Sequence, residues 1–207
     1  MKKLALTDFA KYRYPSALEL SPDSRYLTFA LKDVDREGDG YRWNLWLYDL
    51  ERRESRQITQ GDDQRKAVWE DNTHILYKTT EPDEALRARG FEEEWTVYHR
   101  LNVCTGEDRE AFRLPMSVSG LWKMDEGRYV FTGETHLDRP NLLELTGEAL
   151  EKELVRRQQT RGYKVLTELP LCENGVGMFN QTRNTLFLYL EAAGEYRRIT
   201  PEDYDVN

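Results

Sequence analysis

Three observations predict an all-β fold. Short runs rich in β-branched and aromatic residues recur along the 207 residues. Clusters of Asp, Asn, Gly, Pro and Ser separate these runs, and such residues favour turns because they bond their own backbone or supply positive φ. An anchor–turn–strand frame returns about every fifty positions, the length of a propeller blade. Together they predict a partial β-propeller of about four blades of four-stranded antiparallel sheet, with a short helical insertion near 147–160.

The predicted strands, in order, include Tyr26–Leu31, Asn44–Tyr48, His74–Lys78, Thr96–His99, Arg128–Thr132 and Thr185–Tyr189. The turn clusters are Ser21-Pro22-Asp23-Ser24, Glu37-Gly38-Asp39-Gly40, Gly61-Asp62-Asp63, Asp125-Glu126-Gly127 and Asn180-Gln181-Thr182. One segment breaks the pattern. Thr146–Gln158 is built from strong helix formers, with Leu150 and Leu154 on one face, acids early and Arg157 late, which suits the helix dipole. Glu81–Arg89 is a weaker helical stretch.

The anchors of the repeat are Leu20, Trp69, Trp122 and Phe179, separated by 49, 53 and 57 positions. They are expected to fill the space between blades. A second frame follows: Leu47-Tyr48-Asp49 leads to Arg56-Gln57-Ile58-Thr59, and Leu188-Tyr189-Leu190 leads to Arg197-Arg198-Ile199-Thr200, each spanning 12 positions. Thr185–Tyr189 matches both the second strand of one blade and the third strand of another, so the count is three blades and part of a fourth. A meandering β-sandwich with similar turns is the alternative.

Composition excludes several function classes. With 30 basic and 38 acidic residues the net charge is -8, against a general nucleic-acid binder. No run of 18 apolar residues exists, so no membrane span is expected. The opening Met1-Lys2-Lys3-Leu4-Ala5-Leu6-Thr7-Asp8 reaches an acid before any apolar stretch and is not read as a secretory signal. Cys104 and Cys172 form no CxxC pair, so zinc-ligand spacing is missing and a reduced, cytoplasmic setting is expected. No cofactor is expected.

The stretch Tyr14-Pro15-Ser16-Ala17-Leu18-Glu19-Leu20-Ser21-Pro22-Asp23-Ser24-Arg25-Tyr26-Leu27 resembles the first blade of the prolyl oligopeptidase family of serine peptidases, in its acylaminoacyl-peptidase-like and dipeptidyl-peptidase-like branch. Three later features are similar to bacterial members: Asn44–Asp49 with Arg56–Thr59, Glu94–Tyr98 with Thr105-Gly106-Glu107, and Tyr163–Pro170 with Asn174-Gly175-Val176-Gly177. The last is the most specific; Ser-Pro-Asp before a strand is a generic propeller signal.

The resemblance implies an N-terminal propeller followed by a C-terminal α/β-hydrolase domain that carries the catalytic Ser, Asp and His. That domain is missing here. The chain holds no G-x-S-x-G elbow, and its nearest look-alike, Met116-Ser117-Val118-Ser119-Gly120, lacks the first glycine. Residues 1–207 are therefore expected to be the N-terminal portion of a propeller domain. Its expected partners are the absent hydrolase domain and short peptide substrates, with gating of the active site as its role. Unclosed blade edges predict self-association. The alternatives are a stand-alone propeller that binds other proteins and, more weakly, a surface propeller that binds a sugar or other ligand.

No catalytic, cofactor-binding or metal-ligating residue is assigned. His74 and His99 sit in predicted strands and, like His136, are read as structural. Glu92-Glu93-Glu94 is a little like the glutamate pair with which dipeptidyl-peptidase relatives bind a peptide amine, but it is read as a solvated acidic loop. Arg87 and Arg89 near Phe91 and the pair Arg156-Arg157 could contact acidic partners but are read as a solvated helix face and loop, and Leu150 and Leu154 are read as packing residues rather than a partner-docking stripe.

Overall fold

A computed structural model describes residues 5–35, 40–162, 171–173, 177–179, 181–202 and 204–206. Most of the Tyr163–Gly177 stretch and of the Glu37–Gly40 turn lies outside them. All six predicted strands form. The first sheet runs β1 (Tyr14–Leu20), β2 (Tyr26–Asp35), β3 (Gly40–Asp49), β4 (Glu54–Gln57), side by side in that order. The second runs β5 (Ala67–Trp69), β6 (His74–Pro82), β7 (Glu94–Asn102), β8 (Asp108–Leu114), with α1 (Glu84–Arg87) between β6 and β7.

The third sheet is interrupted. β9 (Val118–Asp125) and β10 (Arg128–His136) are followed by α2 (Gly147–Thr160) and the hairpin β11 (Leu171–Glu173) with β12 (Gly177–Phe179). β13 (Thr182–Leu190) and β14 (Glu195–Arg198) then complete the sheet in the order β14-β13-β10-β9. A four-stranded sheet of sequential neighbours is the blade of a β-propeller. The fold is therefore all-β and propeller-type, with a helical insert where the sequence predicts one. β13 pairs with β10 from Thr182↔His136 to Leu190↔Arg128, which makes Thr185–Tyr189 a third strand of its blade.

The 12-position frame marks one structural device used twice. In the first sheet the Ile58 N–H donates to the Leu45 carbonyl at 2.8 Å, and the Leu45 N–H donates to Thr59 Oγ1 at 2.8 Å. In the third, Ile199 donates to the Leu186 carbonyl at 2.8 Å and Leu186 to Thr200 Oγ1 at 3.2 Å. The threonine closes the ladder where the outer strand turns away. Thr59 is buried, so Thr59→Val leaves a buried N–H without its acceptor. We expect a loss of about 1–3 kcal/mol in chemical denaturation, largely restored by Thr59→Ser.

Each turn from third to fourth strand closes over five residues. Arg53 N–H donates to Asp49 O, Gly106 to Asn102 O and Gly194 to Leu190 O. The last residue of each turn has positive φ: 59° at Arg53, 79° at Gly106 and 66° at Gly194. Glycine meets that requirement without strain and arginine does not.

The chain divides into two compact units, Met1–Thr80 with Val97–Arg113, and Glu81–Thr96 with Leu114–Asn207. In the first, the cross-strand pairs Ala30↔Leu45 and Thr28↔Leu47 put one face of the first sheet against Ala67, Ile75, Tyr77, Leu101 and Val103 of the second. Trp69 joins this core, stacked on Tyr26 at 6.5 Å with Nε1 donating to the Glu19 carbonyl at 3.1 Å. In the second unit, Phe131 stacks on its cross-strand partner Phe187 at 5.1 Å, and Tyr196 meets Phe187 edge-on at 5.5 Å. Leu86, Leu142 and Leu154 form a smaller cluster, with Leu150 packed beside it.

Two anchors depart from expectation. Leu20 is 54% and Trp122 48% exposed. The Trp122 ring lies against Gly120 two positions earlier on its own strand, so closely that a Cβ at Gly120 would stand 2.4 Å from it. The side chain is spent on its own sheet. The side chain of Phe179 lies outside the described residues.

Candidate functional site

Three neighbouring strands of the second sheet bring together the most reactive-looking side chains of the first unit. Tyr77 on β6 donates its hydroxyl to Asp108 Oδ2 on β8 at 2.5 Å. The His99 ring, on β7 between them, stacks on Tyr77 at 5.2 Å, and its Nδ1 stands 3.6 Å from Asp108 Oδ1. Burial first, then the Asp108 carboxylate, raises the Tyr77 pKa beyond the usual phenol range. The phenol therefore stays protonated and serves as a fixed donor, which is the reverse of an activated nucleophile. Tyr77→Phe is expected to cost only about 1 kcal/mol in thermal or chemical unfolding, because Asp108 is well exposed and regains water.

The other histidines are also tied to local structure. His74 Nδ1 lies 2.9 Å from Asp71 Oδ2, and its Nε2 lies 3.1 Å from Asn102 Nδ2. Burial alone would raise the Asp71 pKa, but the backbone N–H groups of Thr73 and His74, at 2.7 and 2.8 Å, outweigh it and hold the carboxyl at about 2. Asp71 thereby shapes the β5–β6 turn, as Asp23 does for β1–β2 by accepting from Ser21 Oγ and the Arg25 N–H. His136 Nε2 sits 3.6 Å from Glu134 and Nδ1 3.4 Å from Thr182 Oγ1. Among the described residues no three His, Cys, Asp or Glu side chains are grouped to hold a metal ion.

In the second unit, three of the four arginines read as solvated bond acidic side chains, while Arg87 stays exposed with Glu84 at 3.6 Å. Arg157 on α2 donates from Nη1 to Glu93 at 2.7 Å, from Nε to Glu153 at 3.0 Å and from Nη2 to the Pro140 carbonyl at 2.6 Å. Only 13% of its side chain is exposed. Arg156 grips Glu153 through two 2.7 Å bonds, and Arg89 grips Glu151 through two more. Of the acidic triplet, Glu92 and Glu94 are exposed, while Glu93 is partly buried against Arg157. A glutamate already answered by an arginine is poorly placed to receive a peptide amine. The network instead fixes the helical insert beside the start of β7. Sequence reasoning missed it because Glu93 and Arg157 lie 64 positions apart.

No family model matches the chain, and no curated protein matches it. Solved structures do. The chain is similar to acylaminoacyl peptidase from Pyrococcus horikoshii with a TM-score of 0.61 and 12% identity, over 92% of this chain and 26% of that one. It is similar to the isopeptidase AtxE2 with a TM-score of 0.53 and 13% identity, over 91% of this chain and 30% of that one. It is similar to the tricorn protease with a TM-score of 0.51 and 9% identity, over 89% of this chain and 18% of that one. The chain thus spans under a third of each, and at these identities the likeness is one of fold.

Proposed function

We propose that this chain is the N-terminal propeller portion of a serine peptidase. The observation that carries the reading is the fold match to acylaminoacyl peptidase, which takes in 92% of this chain but only 26% of that one. Acyl transfer by a Ser-His-Asp triad belongs, in this reading, to an α/β-hydrolase domain outside these 207 residues. The blades cover that active site, admit short peptides and exclude folded proteins. The setting in this reading is cytoplasmic, on the ground that Cys104 and Cys172 form no CxxC pair. The test is the coding sequence beyond codon 207: the reading expects a frame that continues into a strand, a G-x-S-x-G turn and a helix. A stop codon directly after Asn207 overturns it and favours a stand-alone interaction module.

Self-association follows from the same reading. β1 lies at the edge of its sheet, and Phe9, Tyr12, Tyr14, Leu18 and Leu20 on or beside it are all more than half exposed. Large exposed apolar side chains on a sheet edge favour association. Light scattering of the 207-residue chain is expected to show dimers or larger species, reduced by Leu18→Glu. A compact monomer at high concentration contradicts this.

A further inference from the structure

The first unit carries a ladder of alternating rings and cations that the peptidase reading does not use. Lys32 Nζ lies 3.6 Å from the centre of the Tyr41 ring and 5.2 Å from that of Trp43. The Arg65 guanidinium lies 4.1 Å from the centre of the same Trp43 ring. Backbone pairing builds the ladder. Lys32 faces Trp43 across β2 and β3, and the Trp43 N–H and carbonyl are held by the Asp62 carbonyl and the Gln64 N–H of the loop that carries Arg65.

The charges on the ladder are unevenly answered. Arg42 pairs with Asp35 and Asp62, and Arg65 Nε pairs with Asp63 at 2.7 Å. The two Nη groups of Arg65 have no acceptor among the described residues, and Lys32, partly buried, has no carboxylate there. A partly desolvated cation held on ring faces, without a counter-ion, is stabilised further by any anion that reaches it.

We propose that the Tyr41–Lys32–Trp43–Arg65 ladder is a binding site for an acidic peptide, whose carboxylates seat on the free Nη edge of Arg65 and on the Lys32 ammonium. Arginine suits this task because its planar fork meets a carboxylate with two parallel bonds, and the Trp43 ring already fixes the fork in place. Access is open: Tyr41 is half exposed and 59% of the Arg65 side chain faces solvent. The site does not depend on a hydrolase domain, so its test is separate from that of the peptidase reading.

The test is calorimetric titration of the full 207-residue chain with an acetylated, amidated peptide of five glutamates, its glutamine isostere and a DNA oligonucleotide of similar charge. The glutamate peptide is expected to bind, with the isostere at least about tenfold weaker. Arg65→Gln and Lys32→Gln are each expected to weaken binding about tenfold, and Arg109→Gln, an exposed control on β8, to leave it unchanged. Trp43→Phe should abolish the ligand-dependent change in tryptophan emission. Arg65 is exposed enough that its variant stays folded, which circular dichroism checks. Equal binding of the isostere, indifference to Arg65→Gln, or preference for the oligonucleotide overturns the proposal.

Discussion

Phe131→Ala is expected to cost about 3–5 kcal/mol of stability. Phe131 is completely buried at the centre of the third sheet. Its ring stacks on Phe187 at 5.1 Å and meets Tyr196 edge-on at 6.0 Å. Truncation removes the transfer free energy of the ring and opens a cavity that the two neighbouring aromatics cannot refill. Guanidinium denaturation followed by circular dichroism reads the loss. Phe131→Leu, which keeps most of the volume, is expected to lose less than half as much. Equal losses for the two variants would mean that packing at this position is not what holds the sheet.

Arg157→Ala is the second large effect. It removes the one group that touches Glu93, Glu153 and the Pro140 carbonyl together. Glu153 is 9% exposed and keeps Arg156, but Glu93 loses the partner that buries it. A cost of about 2–3 kcal/mol is expected, below the range for a fully buried pair because Glu93 stays within reach of water. Arg157→Lys should recover only part of this, since an ammonium cannot address three acceptors in a plane. Hydrogen exchange in α2 separates local release of the insert from global unfolding, and the release is expected to dominate.

The same network sets an acid dependence. Arg156 first, then Arg157, holds the Glu153 carboxyl below its ordinary value of 4.5. A carboxylate with a depressed folded pKa contributes stability that is present above its unfolded pKa and is lost as pH falls through the folded one. The insert should therefore loosen below about pH 4.5, and Arg157→Ala should show a shallower acid transition than the parent.

Most of the blade structure was legible in the sequence because it is local. Alternating apolar residues located β2, β3, β6, β7, β10 and β13, and the spacing of Leu150 and Leu154 located α2. The 12-position frame proved to be a backbone device, with Thr59 and Thr200 in matching roles. The connection of the third blade was not legible. Phe179 to Leu186 imitates the anchor, turn and strand that open a blade, and only the pairing of β13 with β10 shows that it resumes one already begun. Trp122 also misled, because Gly120 gives its ring a seat on its own strand. The site residues were the least visible. Tyr77 and Asp108 are 31 positions apart and Glu93 and Arg157 are 64 apart, so no periodicity links them.

We propose that these 207 residues serve a serine peptidase whose chemistry lies elsewhere in the same polypeptide, and fluorophosphonate labelling of the native protein, followed by peptide mass spectrometry, checks this. The labelled serine is expected to belong to a polypeptide containing this sequence and to map beyond residue 207. A native polypeptide that ends at Asn207 and takes no label, or a label on a serine within residues 1–207, overturns the proposal.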